Sequence, residues 1–255
     1  MTQISQSTPS ACSMAKRHIM TRGMLFSLVL FYSHVICASP KDVKSLLPNL
    51  EPVILSSFAS TVREEKLTAI GIASCMRPNS TLIAALKNRV GMEDDFVSRF
   101  LLAYALVRMQ PDKENEALFI RLFPTDKAGL ADLWLAQTNI VQLAVMPLVW
   151  EPLEVAARNR NAAALKTLVT AMLNTQGAQF EEAASALATI VMNDTLWVFS
   201  SMQAYEEPAS SALKALTPLL TEAQLRGIKK NIEASISVST TEKIKPFMEI
   251  FNKGR

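Results

Sequence analysis

Phe96, Val97, Phe100, Leu101 and Tyr104 recur at helical spacing, and Leu102 and Leu106 load the opposite face of the same segment. A helix apolar on two sides must be covered on two sides. The rest of the chain supports that reading. No stretch of four or more residues alternates cleanly between β-branched or aromatic and polar types, so strands lack support. Only six glycines follow residue 38, and five of them are separated by helix-like stretches. The expected fold is therefore all-α, an irregular α-solenoid or a compact bundle of antiparallel helix hairpins, with about twelve helices of roughly 9–20 residues.

Local signals place the boundaries. Thr61 with Glu64, and Thr221 with Gln224, have capping-box spacing. Pro78-Asn79-Ser80 opens a helix that ends near Gly91, and Pro111-Asp112 separates two helices. Pro124-Thr125-Asp126, Glu207-Pro208 and Ser237–Thr241 mark further connections. Leu130, Leu133, Trp134, Ile140, Val141, Ala144, Val145 and Leu148 form another stripe. Gln137 interrupts it, and its expected role is a bond to a neighbouring loop or backbone.

The N-terminus reads as a targeting segment. Lys16, Arg17 and Arg22 precede an apolar run from Met24 to Ala38, followed by Ser39-Pro40. That order is the layout of a secretory signal peptide, with a long basic region and cleavage expected at Ala38. An uncleaved anchor is the alternative. The expected organisation is residues 1–38 as signal and 39–255 as a single all-α mature domain, exported to the periplasm or secreted. No membrane span is expected once the signal is gone. Removing three of the 26 basic residues and none of the 23 acidic ones leaves a formal net charge of zero. A nucleic-acid partner then has no bulk electrostatic support.

His18, His34, Cys12 and Cys37 all precede residue 39, so the mature chain holds no histidine and one cysteine, Cys75. Hydrolases that rely on a histidine base are excluded, as are zinc sites of ordinary composition and an intramolecular disulfide. Cys75 is expected to be a small buried apolar residue. No cofactor and no metal site is expected, an oxygen-only calcium site remaining the exception. Carboxylate chemistry needs no histidine. Its candidates are Glu64-Glu65, Glu93-Asp94-Asp95, Glu181-Glu182 and Glu206-Glu207. Each falls at or near an expected helix N-terminus, where the helix dipole suffices to explain it.

Residues 150–173, "WEPLEVAARNRNAAALKTLVTAML", read as a helix, a tight polar turn and a second helix. Pro152-Leu153, Ala156-Ala157, Asn161, Leu165, Leu168 and Val169 give residues 151–169 a pattern that resembles the helix pair of an ankyrin repeat. The departures are Glu154 where that family has His and Arg160 where it has a turn Gly. A shift of about 33 residues in either direction finds no second copy. As a hairpin, the segment should expose Arg158 and Arg160 at its tip and turn Val155, Leu165, Leu168 and Val169 inward.

The expected function is an exported, non-enzymatic helical protein that binds another protein, a periplasmic accessory or immunity-type factor. Arg158, Arg160 and Trp150 are its candidate contact residues. The alternatives are a carboxylate-based polysaccharide hydrolase and a helical carrier whose methionines and leucines line a cavity for an apolar ligand. Twin sequons, Asn79-Ser80-Thr81 and Asn193-Asp194-Thr195, would matter only in a eukaryotic secretory pathway.

Overall fold

The computed structural model describes residues 50–141, 149–235 and 245–251, with side chains through residue 136 in the first segment. The signal segment with Ala38, the Gln137 side chain, the end of the Leu130–Leu148 stripe and Ser237–Thr241 lie outside the described residues. Among those described, the fold is all-α and contains no strand. The helices in order are α1 (Leu50–Ser57), α2 (Arg63–Cys75), α3 (Ser80–Met92), α4 (Phe96–Met109), α5 (Lys113–Leu122), α6 (Lys127–Val141), α7 (Glu151–Arg158), α8 (Ala162–Leu173), α9 (Ala178–Asn193), α10 (Thr195–Met202), α11 (Glu206–Leu216) and α12 (Glu222–Ser235). Residues 245–251 are also helical. No helix among them is long and apolar enough to cross a membrane.

The helices start where short polar side chains replace the missing backbone acceptors. Asn79 accepts from the N–H groups of Thr81 and Leu82, Asp95 from Ser98, Asp112 from Asn115, and Asp194 from Trp197. The Thr221–Gln224 capping box forms in both directions: Gln224 Oε1 accepts from Thr221 N at 2.8 Å and Thr221 Oγ1 from Gln224 N at 3.3 Å. The expected Thr61–Glu64 box does not. Ser60 takes the role instead, accepting from Val62 N and donating to Glu65 Oε2 at 2.8 Å, and α2 begins only at Arg63. Pro208 marks the start of α11, which follows a short 3-10 turn at Gln203–Tyr205. It lies in the first turn of α11, where a missing N–H costs nothing.

α4 is the central element. Eleven of its fourteen residues are buried, including Phe100, Leu101, Leu102, Tyr104 and Leu106, as its two-sided apolar pattern requires. α2, α3, α5, α6 and α7 all pack against it. Both its ends are fastened. At the start, Glu93 is 6% exposed and pairs with Lys66 at 3.0 Å and Arg89 at 3.1 Å, while Asp95 pairs with Arg63 at 3.3 Å. At the end, Asn115 Nδ2 donates to Gln110 O at 2.9 Å and Gln110 Nε2 to Asp112 at 2.7 Å.

An aromatic cluster carries the core onward. Phe100, Phe119 and Phe123 meet with centroids 5.4–5.6 Å apart, and Trp150 lies 5.2 Å from Phe123 and 5.6 Å from Trp134. Beyond it, α7 and α8 form an antiparallel hairpin, α9 packs on both, and α11 packs on α8. Phe247 and Phe251 seat the last helical segment on Phe199 of α10. The buried apolar side chains form one contiguous cluster from Leu50 to Phe251. Met109, Met172 and Met202 belong to it as core filling.

Partial burial alone would raise the Asp95 carboxyl. Hydrogen bonds from the Ser98 side chain and backbone, together with Arg63, outweigh that and hold it below its ordinary range. A depressed carboxylate contributes stability above its unfolded pKa and loses it as pH falls through the folded value. Wild type should therefore exceed Asp95→Asn in stability by up to about 1 kcal/mol near neutrality, since much of the site is solvent-screened. The two should converge as pH falls below the ordinary carboxylate range in acid urea melts. A pH-independent difference would assign the effect to packing.

Candidate functional site

The hairpin of α7 and α8 is built from local chemistry. Pro152 sits in the first turn of α7, and Glu151 and Glu154 favour the positive end of its dipole. The helix ends in a Schellman motif: Asn161 N donates to Ala156 O at 3.0 Å and Arg160 N to Ala157 O at 2.9 Å. That motif needs a left-handed residue between helix and turn, and Arg160 supplies it with φ 63°. This is the position where the resembled helix pair has glycine, so the turn is retained although the residue suited to it is not. Asn161 then caps α8 through Ala163 N and Ala164 N, and its Nδ2 donates to Glu116 Oε1 at 2.6 Å.

The contact residues expected from the sequence divide among three environments. Arg160 is exposed, its side chain 69% accessible, and its guanidinium reaches Asp194 Oδ2 at 2.7 Å. Asp194 is also the cap of α10, so the hairpin tip is tied to the next helical pair. Arg158 is half-exposed and pairs with Glu154 at 3.6 Å within the same helix. Trp150 is only 2% exposed, packed between Phe123 and Trp134, and its indole Nε1 has no partner among the described residues. The three tryptophans are far apart in sequence, but two of them, Trp134 and Trp150, meet in space with tilted rings.

Val155 corrects the expected inward set. It is 46% exposed, whereas Leu165, Leu168 and Val169 are fully buried as expected. Val155 shares a face with Glu151, Glu154 and Arg158, at the spacing i, i+3, i+4 and i+7 that places residues together on one side of a helix. That spacing was legible, but the valine's apolar character suggested the core.

This face of α7 forms one wall of an open cleft of about 540 Å³. Glu182, Ser185 and Ala186 of α9, again at i, i+3 and i+4, form the other wall, and Trp150 also lines it. The carboxylates differ in their partners. Glu151 pairs with Arg108, whose guanidinium lies over the Tyr104 ring. Partial burial raises Glu154 above its ordinary range. Arg158 opposes that shift and the charge of Glu151 adds to it. Glu182 is exposed and has no ion pair among the described residues. Sequence reasoning found Trp150 and Arg158 here but missed Val155 and the α9 wall, because the pairing of α7 with α9 is a tertiary event.

The other sequence candidates lie elsewhere. Cys75 is exposed at the end of α2, not buried as expected. Desolvation by its packed surroundings still raises its thiol, against the pull of Ser74 and Arg108. Glu93 and Asp95 are held in ion pairs and a cap, and Glu64, Glu65, Glu181, Glu206 and Glu207 stand in first helical turns. Among the described residues no three His, Cys, Asp or Glu side chains gather as a metal site. The Asn79 amide is occupied, donating to Glu51 at 2.8 Å while its oxygen caps α3. Asn193 is exposed. A second open cleft, of about 470 Å³, lies between α11 and residues 246–250, lined by Lys214 and Glu249 among others.

Arg160 offers a direct test of the turn. A left-handed non-glycine residue costs about 1–2 kcal/mol, while an exposed ion pair contributes about 0.2–1 kcal/mol. Arg160→Ala should lose the pair and keep the strain, destabilising by up to about 1 kcal/mol. Arg160→Gly should lose the pair and relieve the strain, ending about 1 kcal/mol more stable than the alanine variant in denaturant melts. Equal midpoints for the two variants would contradict the motif.

Comparison of the chain with family models, with curated proteins and with solved structures finds no match, so the helix pair stands as a hairpin without a repeat family assigned to it.

Proposed function

We propose that this chain is an exported, non-enzymatic helical protein that binds another protein, as a periplasmic accessory or immunity-type factor would. The observation that carries the reading is the open cleft between α7 and α9, where an exposed valine stands among carboxylates from the two helices. Exposed apolar side chains framed by charge are the surface chemistry of protein recognition. The engagement of Glu93 and Asp95 in structural pairs and caps supports a non-enzymatic role, since those carboxylates have other work. Export rests on the basic-apolar-small order of residues 16–38.

Two measurements test this. Edman sequencing of secreted or periplasmic material should begin near Ser39, and retention of Met24–Ile36 in the soluble fraction would remove the export claim. A photo-cross-linking residue is placed in turn at Val155, Lys214 and Lys230, and the chain is returned to its native compartment. One polypeptide should be captured from one of these faces and not from all three. Capture of nothing, or of the same mixture from every face, would overturn the protein-binding reading.

A further inference from the structure

The cleft between α7 and α9 has a charge and a shape that narrow what it can hold. Its three carboxylates, Glu151, Glu154 and Glu182, face one cation of the lining, Arg158. Arg108 neutralises Glu151 from outside the cleft. The Arg158–Glu154 contact is long at 3.6 Å and spans one turn of one helix, so it is readily exchanged. Glu182 has no ion pair among the described residues. The unbalanced charge is thus negative and lies between the two walls. Val155, 46% exposed, supplies apolar surface beside it.

Both walls are helix faces with side chains at i, i+3 and i+4, and such ridges accept a third helix in the groove between them. The fold itself uses that arrangement, since α9 packs across both α7 and α8. No strand edge is present among the described residues to recruit an extended segment. An anionic cleft repels nucleic acid and acidic peptides.

Resting on the protein-binding reading above, we infer that the α7–α9 cleft seats one basic amphipathic helix of the partner protein, with a Lys or Arg between Glu154 and Glu182 and an aliphatic side chain over Val155. The cation replaces the weak Arg158 contact and pairs with Glu182, which has no ion pair among the described residues. The aliphatic side chain covers the valine that the chain leaves exposed. Positive charge gives the partner its approach and register, and the apolar contact distinguishes seating from loose attraction.

The test uses the full chain and a fluorescein-labelled peptide of about 18 residues, about five helical turns. The peptide carries Lys and Leu at i, i+3 and i+4 on one face, and the control has Glu for every Lys. Anisotropy at physiological salt should show binding of the Lys peptide alone. Glu182→Lys should weaken it about tenfold, while Glu233→Lys, an equal charge change on exposed α12, should leave it within about twofold. Val155→Asp adds a carboxylate, so attraction by charge alone would tighten binding, whereas a seated helix must bind more weakly. Circular dichroism melts of the three surface variants should match wild type. Failure of the Lys peptide to bind, equal loss in Glu182→Lys and Glu233→Lys, or tighter binding by Val155→Asp would each overturn the inference. Cross-linking of a partner from Lys214 but not Val155 would also overturn it while leaving the protein-binding reading in place.

Discussion

Burial of α4 on every side is the constraint from which the remaining structure follows. A helix that turns Phe100, Leu101, Leu102, Tyr104 and Leu106 away from water offers no solvent face. Each such side chain contributes about 1.5–3 kcal/mol on burial, and none does so until α2, α3, α5 and α6 are in place around it. Their placement depends on where α4 begins. Glu93 collects Lys66 from α2 and Arg89 from α3, and Asp95 both starts the helix and holds Arg63. Removing one member of a pair this buried leaves an uncompensated charge, which costs far more than the pair contributes. The electrostatic collar therefore acts chiefly to define register.

The candidate cleft inherits its position from that helix. Arg108, in the last turn of α4, holds Glu151 at the start of α7, and the aromatic chain from Phe100 through Phe123 ends on Trp150. Trp150 was expected to be a contact residue. It lines the cleft while only 2% exposed, so it also anchors α7 and sets the cleft from below. At the other end of α7, Arg160 and Asn161 tie the turn to Asp194 and Glu116. Both ends of a short eight-residue helix are thus fastened to different neighbours, and isolated helices of that length do not persist in water.

What could be read from the sequence was what local chemistry decides. Helix starts at Asn79, Asp95, Asp112 and Asn161 follow from side chains that reach two or three residues ahead. The Thr221–Gln224 box is equally local. The Thr61–Glu64 spacing was the same kind of signal, yet Ser60 and Glu65 offered a competing arrangement one residue away at each end. The all-round burial of α4 was legible because both its faces carry large apolar residues. Val155 and Cys75 were misread because exposure is settled by what packs opposite, and sequence spacing within one helix does not contain that. The hairpin at residues 151–173 was legible down to its turn, and Arg160 still takes the conformation for which glycine is suited.

The unfilled cleft follows from the same balance of terms. α8 is covered by α7, α9 and α11, and its Leu165, Leu168, Val169 and Met172 are fully buried. The outward face of α7 offers one valine, two carboxylates and Arg158, and that of α9 offers another carboxylate and a serine. Covering such a surface with an uncharged helix of the same chain would bury about 1–2 kcal/mol of valine surface while desolvating carboxylates at several kcal/mol each. The fold gains by leaving it open. A covering element that brings its own cation reverses the sign, because the carboxylates exchange water for a charged partner. The chemistry that keeps this surface out of the core is therefore what makes it selective, since it rejects neutral and acidic helices and accepts a basic one.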